Sequence, residues 1–514
     1  MLPLTVGKEQ WLEAFMSNKE LSHLLNGFVA DTVIDTLKNI DISNIQLDSR
    51  LVSTNGLFVA LNGTQTDGRL YINKAIELGA VAVLIDAKDN SFDVTNYCVP
   101  VIAIDELEFT LSEIASRFYD YPQNELSLIG ITGTNGKTTV NQLVGQWLTL
   151  LGKKTYCMGT LGNGLYGQLV DSPNTTLNAI DLISHLARAK QLGASHVVME
   201  VSSHGLSLGR VNTLHFDVAA FTNLTQDHLD FHGTMQDYAD AKQILFTDTY
   251  SKTMVLNGAD NTAKDWIAQW QQQNRLVELS CFNEPSALAL NNVVAKNIAF
   301  GQQGFSASLS VNNSSFNLRT KLLGAFNVDN VLTAFSCLLN AGFSTQQLLE
   351  HVSKLTPVAG RMEVFGNENT PSVVVDYAHT PDALKQALRA LRVHCSGQLW
   401  VVFGCGGDRD AKKRPLMAAI AEQYADNLVL TQDNSRSESP SAIFADMLEG
   451  IDNKEQVVVE HDRTFAVKST IERAKVGDIV LLAGKGHEDY QILQCGRVDY
   501  DERALAQKTV ENLL

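Results

Sequence analysis

The sequence contains no apolar run approaching the roughly 18 residues that a membrane-spanning helix needs. Its first residues, MLPLTVGKEQWLEAF, lack the basic start and apolar stretch of a secretory signal. A cytoplasmic protein without a membrane partner is therefore expected. Disulfide chemistry is also poorly represented: the seven cysteines are odd in number and form no C-x-x-C pair, which fits reduced thiols better than a cross-linked framework. Positive charge is in deficit, with 40 Lys and Arg against 57 Asp and Glu and a net charge of −17. That balance argues against a nucleic-acid partner, which wants a basic face. It leaves room for a local phosphate site, because one helix N-terminus and one lysine can make it. Low-complexity segments and repeats are absent. The 514 residues exceed one ordinary domain, and the 45% apolar content lets each of several domains bury a core.

Short apolar runs alternate with longer amphipathic ones, the pattern of parallel α/β layers. Strands are expected at LSLIGITG near 126–133, SHVVMEVSS at 195–203, VAAFTNL at 218–224 and TMVLNG at 253–258. A second series starts at SVVVDYAHT from 372 and continues with LWVVFGCGG from 399, NLVLTQDN from 427, QVVVEHDR from 456 and DIVLLAGKGHE from 478. Pro122 and the stretch from Pro357 to Gly360 read as domain boundaries. Most strands of the second series run into polar residues: Asp376 and His379, Asp408 and Arg409, Asp433 and Arg436, His487 and Glu488. Ligands of open parallel sheets bind at the carboxyl ends of strands, so this clustering suggests a site rather than ordinary loop starts.

GITGTNGKTT at 130–139 follows an apolar strand and opens an amphipathic helix. It departs from the strict P-loop spacing, since Ile131 stands where the first glycine belongs. Glycines still allow main-chain N–H groups to turn around phosphate oxygens, and the segment Gly133, Thr134, Asn135, Gly136, Lys137, Thr138 and Thr139 reads as a nucleotide cradle. Lys137 would reach the β- and γ-phosphates and Thr138 would offer its hydroxyl to Mg²⁺. FGCGGDRD is a weaker lure: Gly404 and Gly406 fit a dinucleotide fingerprint, but Arg409 fills the third glycine position, so NAD is rejected. Glu200 and His228 end or follow neighbouring strands and could complete a magnesium shell with Thr138. Lys242 on the helical stretch 237–246 is, taken alone, a surface lysine. Buried near cations, its amine would instead become neutral and reactive.

Together GITGTNGKTT, EVSSHGL, TNLTQDHLDFHG, DYADAK, GAFNVDN, AGRMEVF, DYAHTPDAL, GCGGDRD and GKGHEDYQ occur in the order seen in the Mur ligases, ATP-dependent amide-forming enzymes of peptidoglycan precursor synthesis. With the N-terminal motifs the resemblance runs from about residue 47 to 490, and it is best to the third ligase of the series. The resemblance implies an α/β fold of three domains: a uridine-binding domain over 1–122, a central P-loop ATPase domain with a mostly parallel sheet over 123–357, and a Rossmann-like amino-acid-binding domain over 358–514. It implies Lys137, Lys242, His228 and Glu200 as catalytic residues, with Thr138, Glu200, His228 and Lys242 around Mg²⁺. Lys242 would carry a CO₂-derived carbamate. ATP would also meet Asn330, Arg361 and Asp376. The substrate UDP-N-acetylmuramoyl-L-alanyl-D-glutamate would meet Leu47, Ser49, Thr64, Gln65 and Thr66, then Asn174, Thr175, Thr176, Ser202 and Arg210. Leu208 departs from the family, where a Gln is expected.

The acceptor is implied by TQDNSRSESP at 431–440. Family members that add meso-2,6-diaminopimelate carry Asp-Asn-Pro-Arg where this chain has Asp433, Asn434, Ser435 and Arg436. An extra carboxylate calls for a guanidinium fork, so diaminopimelate is expected over L-lysine, with Arg409, Gly484 and Glu488 completing the contacts. Ser435 loses the fixed φ of proline, and a less rigid loop is expected. A solvated turn is the plainer reading of Asp, Asn and Ser. A monomer is expected. Other readings stay open: an L-lysine-adding ligase, a folylpolyglutamate synthase, or a P-loop binding protein switched by its nucleotide.

Overall fold

The computed structural model describes residues 18–63, 66–88, 94, 96–172, 174–273, 278–301, 304–312 and 314–513. These residues form two compact units, 1–280 with 288–290 and 281–287 with 291–514. Among them no helix is long and apolar enough to cross a membrane. The architecture is α/β, with parallel sheets in both units.

The first unit contains a four-stranded sheet in the order Asn44–Gln46, Gly56–Ala60, Ala80–Asp86 and Val101–Ile104, parallel throughout. Its second sheet region runs Gln168–Val170, Gly162–Leu165, Thr155–Gly159, His196–Glu200, Ser127–Thr132, Phe216–Phe221 and Ser251–Asn257. The last five of these strands are parallel, and the first two are an antiparallel extension. Register decides what meets at the edge. Glu200 pairs with Ile131 and Phe221 with Thr132, so the loops after all three strands leave the sheet at one level.

The second unit opens with an antiparallel meander, Asn291–Gly301, Gly304–Val311 and Ser314–Thr320, followed by the helix Phe326–Asn340. A six-stranded sheet then runs Glu363–Phe365, Ser372–Asp376, Ile479–Ala483, Leu399–Phe403, Asn427–Thr431 and Val458–Glu460. Only its first pair is antiparallel. Successive strand residues face opposite sides, so the sheet feeds two cores. Val374, Val401, Phe403, Leu430 and Leu481 pack on one side. Val373, Val375, Trp400, Val402, Val429, Val480 and Leu482 pack on the other. Helix Pro381–Arg392 shows local consistency at its start: Pro381 takes the first turn, where its missing N–H is no loss, and Thr380 accepts the N–H of Ala383.

All nine strands expected from the two series are present, generally ending earlier than the apolar runs suggest. The residues that follow each run, such as Val201 to Ser203 and Tyr377 to Thr380, have left the ladder to build the site.

Candidate active site

In the first unit the turn after Ser127–Thr132 wraps around its own lysine. Lys137 Nζ donates to Gly133 O at 2.8 Å and to Thr134 O at 2.9 Å. Gly133 has a φ of +143°, and a Cβ there would collide with Thr222 Oγ1. The neighbouring strand end pins the turn: Thr222 Oγ1 and Asn223 Nδ2 donate to Asn135 O at 2.6 and 3.1 Å, and Thr134 N donates to Asn223 O at 2.8 Å. Gly136 precedes the helix Lys137–Leu150, whose first turn carries Thr138 and Thr139. A free helix N-terminus behind a pinned glycine turn is an anion cradle.

Glu200, 1% exposed, lies beside that cradle. Its carboxylate accepts from Thr138 Oγ1 at 2.9 Å, Thr160 N at 2.8 Å and Thr160 Oγ1 at 3.2 Å. Burial raises its pKa, opposed first by the Lys137 charge and then by these hydrogen bonds. Gly159 makes the space, since a Cβ there would strike the Glu200 side chain.

Lys242 is buried on the helix Met235–Gln243, one turn beyond Tyr238. Its Nζ donates to Gly133 O at 3.0 Å and sits 4.4 Å from the centre of the Tyr238 ring. Burial, and after it the charge of Lys137, pull Lys242 well below the ordinary lysine range. Burial lowers Lys137 as well, against the opposing charges of Glu200 and Asp227. His228 stands apart from this knot. It is half-exposed, its Nε2 is 3.5 Å from Asp227 Oδ2, and its ring meets those of His204 and Tyr238 at 4.9 and 6.1 Å.

Among the described residues no three His, Cys, Asp or Glu side chains cluster as a ready-made metal cage. Mg²⁺ does not require one, because it takes oxygen ligands from one or two protein groups together with phosphates and water. The Glu200 carboxylate and the Thr138 hydroxyl, side by side at the cradle, are such donors, and the site fits the ion.

The residues expected for the muramoyl substrate collect around the same strand end. Thr175 Oγ1 lies 3.1 Å from Thr160 Oγ1, and Thr176 Oγ1 donates to Glu200 O at 2.9 Å while accepting from Ser202 N at 2.9 Å. Arg210 Nη1 donates to Thr176 O at 2.8 Å, and Ser202 caps the short helix Ser203–Ser207 that Leu208 ends. Asn174 is exposed at the edge. Leu47, Ser49 and Thr66 follow the carboxyl ends of paired strands in the four-stranded sheet. Thr64 and Gln65 lie outside the described residues.

The second unit carries another cluster at the carboxyl edge of its six-stranded sheet. Arg361 stacks over the Tyr377 ring at 4.4 Å, and Asp376 accepts from Met362 N at 2.8 Å and Ala378 N at 2.9 Å. Burial raises Asp376, with Arg361 the leading opposing charge. Asn330 is buried on its helix and donates to Asn327 Oδ1 at 2.8 Å. Gly360 and Gly486 touch main chain to main chain, and a Cβ on Gly360 would run into Gly486 and His487.

Arg436, with a φ of 51°, donates from Nη1 to Gly407 O at 2.8 Å and Asn434 O at 3.3 Å. A Cβ on Gly406 would lie 3.0 Å from Arg436 Nη1 and 3.8 Å from Arg409 Cγ, so both guanidinium side chains flank one glycine. Ser435 is buried and accepts from Gln432 Nε2 at 3.1 Å, a tie that proline could not make. Asp433, Asn434 and Glu488 gather around Lys485, while Gly484 leaves room for Asp433. Lys485, Thr160 and Tyr238 also take part, although the sequence does not single them out. Only for Lys485 was a signal present, a lone cation between two glycines at a strand exit.

Family models describe the chain in three stretches: Mur ligase family, catalytic domain, over residues 41–119; Mur ligase middle domain over 131–338; and Mur ligase, glutamate ligase domain, over 360–486. A Vibrio vulnificus (strain YJ016) protein named UDP-N-acetylmuramoyl-L-alanyl-D-glutamate--2,6-diaminopimelate ligase is 46% identical over 475 residues, covering 92% of this chain and 95% of that protein. A protein of the same name from Haemophilus influenzae (strain ATCC 51907 / DSM 11121 / KW20 / Rd) is 43% identical over 492 residues, 95% of this chain and 99% of its own. A solved structure of a ligase with that name superposes with a TM-score of 0.69 at 36% identity, covering 92% of this chain and 95% of that one. A folylpolyglutamate synthase from Mycobacterium tuberculosis shares the fold, with a TM-score of 0.57 at 17% identity over 73% of this chain and 92% of that one. With its glycine turn, its buried lysines and these relatives over nearly its whole length, the chain belongs to the Mur ligase family.

Proposed function

We propose that this protein joins meso-2,6-diaminopimelate to UDP-N-acetylmuramoyl-L-alanyl-D-glutamate at the expense of ATP, in peptidoglycan precursor synthesis. The observation that carries the reading is the convergence of Lys137, Lys242 and Thr138 with Glu200 at one glycine turn. In that chemistry the terminal carboxylate of the muramoyl dipeptide attacks the γ-phosphorus of ATP, giving an acyl phosphate and ADP. The amino group of diaminopimelate then attacks the acyl carbon, and the tetrahedral intermediate expels phosphate as the amide forms and a proton leaves the nitrogen.

Positioning and charge neutralisation do most of the work in such phosphoryl transfers. We assign Lys137 and the main-chain N–H groups of 133–139 to the phosphates, with Asn330, Arg361 and Asp376 as further nucleotide contacts. Thr138, Glu200, His228 and a carbamylated Lys242 are assigned to Mg²⁺, which when bound supplies neutralisation of phosphate charge. The lowered pKa of Lys242 supports the carbamate, because only a neutral amine takes up CO₂. Thr175, Thr176, Ser202 and Arg210 are assigned to the muramoyl dipeptide, and the segments at 47–49 and 64–66 to the uridine. Arg409, Asp433, Asn434, Ser435, Arg436, Gly484 and Glu488 are assigned to diaminopimelate. The domain limits 1–122, 123–357 and 358–514, a monomeric state and a cytoplasmic location belong to the same proposal.

An acceptor panel with product mass measured tests it. Phosphate release should require the UDP-linked dipeptide and diaminopimelate together, with a product heavier by one diaminopimelate residue. Release with L-lysine would move the acceptor assignment, and release with neither substrate would overturn the ligase reading.

A further inference from the structure

Lys485 follows the strand Ile479–Ala483 and Gly484, and its side chain is 0% exposed. Its Nζ donates to Glu488 Oε2 at 2.8 Å and to Asn434 Oδ1 at 2.9 Å, and it stands 3.5 Å from Asp433 Oδ1. Asn434 is committed on both ends: its Oδ1 also accepts from Ile492 N at 2.9 Å, and its Nδ2 donates to Glu488 Oε2 at 3.1 Å. One ammonium thus touches three of the residues assigned to the amino-acid acceptor, without itself being assigned a contact with that ligand.

The charges around it are countable. Arg463 donates from Nη2 to Glu502 Oε1 at 3.0 Å and lies 3.8 Å from Asp433 Oδ2. The ion pairs of this knot join the three carboxylates of Asp433, Glu488 and Glu502 to the two cations Lys485 and Arg463, with the Arg436 guanidinium alongside, its Nη1 3.3 Å from Asn434 O. Without Lys485, Glu488 would lose its ion-pair partner, and Asn434 and Glu488 would lose their shared donor. Stability alone does not ask for a lysine here, since a buried ion network can often be replaced by apolar side chains without loss.

We propose that Lys485 is a positioning and specificity-determining residue of the acceptor loop. It fixes the orientation of Asn434 and Glu488 and pairs the Glu488 carboxylate, so that both side chains are held in place for the amino acid that binds there. This rests on the acceptor reading given above. A lysine that merely braced the fold would, when lost, weaken all substrates alike.

The test uses the full-length enzyme and Lys485→Met, which keeps the length of the stem and removes the charge. The KM for diaminopimelate should rise about 30-fold or more, while those for ATP and the UDP-linked dipeptide stay within about twofold, as truncating one member of a buried charged hydrogen-bond network predicts. The double variant Lys485→Met/Glu488→Gln should cost no more than the larger single change, because it removes both ends of the pair and leaves neither charge buried alone. It also serves if Lys485→Met fails to fold. Equal rises in all three KM values, an unchanged KM for diaminopimelate, or full additivity in the double variant would overturn the proposal. Should the unmodified enzyme use L-lysine instead, the acceptor assignment fails on its own. The same variants measured with L-lysine then still decide whether Lys485 positions the loop.

Discussion

In the first unit the buried ammonium groups of Lys137 and Lys242 rest on main-chain carbonyls, whereas in the second unit Lys485, Arg463 and Arg414 rest on carboxylates. The consequence is visible in their ionisation. Burial lowers both lysines of the first unit, while Arg463 is held above its ordinary value by Glu502 despite being buried. A lysine resting on dipoles is desolvated without a bonded counter-charge, so its neutral form is favoured, opposed at Lys137 by the charges of Glu200 and Asp227. A cation already paired has little to gain and acts as scaffold. The same residue types are thus held by main-chain dipoles in one region and by paired charges in the other.

The largest effect is expected of Lys242→Ala, which should nearly abolish amide formation and leave the melting temperature within a few degrees. Added acetate or formate should restore part of the rate by supplying a carboxylate. Near-normal turnover without either would remove Lys242 from the chemistry. Lys137→Ala comes next, with a loss of about 10²–10³-fold in kcat, the scale of one electrostatic contact to a transition state. Binding of the UDP-linked dipeptide, read by calorimetry, should survive it. Arg436→Ala should lose about 10²-fold in selectivity for diaminopimelate over L-lysine, as expected when a polar contact is left unmet. Its KM for ATP should hold. Thr160→Val is the mildest test. The Thr160 N–H bond to Glu200 remains, and the lost hydroxyl bond should cost about 1 kcal/mol, roughly a fivefold fall in kcat/KM.

Legibility in the sequence followed sequence distance. Val197–Val198 and Val480–Leu482 announce strands because β-branched and apolar runs are bounded by turn residues, and the glycine turn at 133–136 lies next to the strand that feeds it. The meander 291–320 escaped because its strands are rich in Ser and Asn, although Phe305, Leu309 and Val311 are buried on an alternating pattern. Lys485 escaped for a different reason. Its burial is created by Asp433 and Asn434, which lie 52 and 51 positions away in the chain and arrive from a neighbouring part of the sheet edge. No local pattern encodes a partner at that range. Glu200 was found only because the glycine turn drew attention to strand ends beside it.

Gly360 and Gly486 meet with no side chain between them. A seam built from main chain cannot be tuned by substitution at either position, since any side chain on Gly360 forces the two loops apart. In this chain the spacing between the loop carrying Arg361 and the loop carrying Glu488 is therefore set at Gly360 by main chain. The glycine thus works as a gauge of loop separation, and a Gly360→Ala change would reset it.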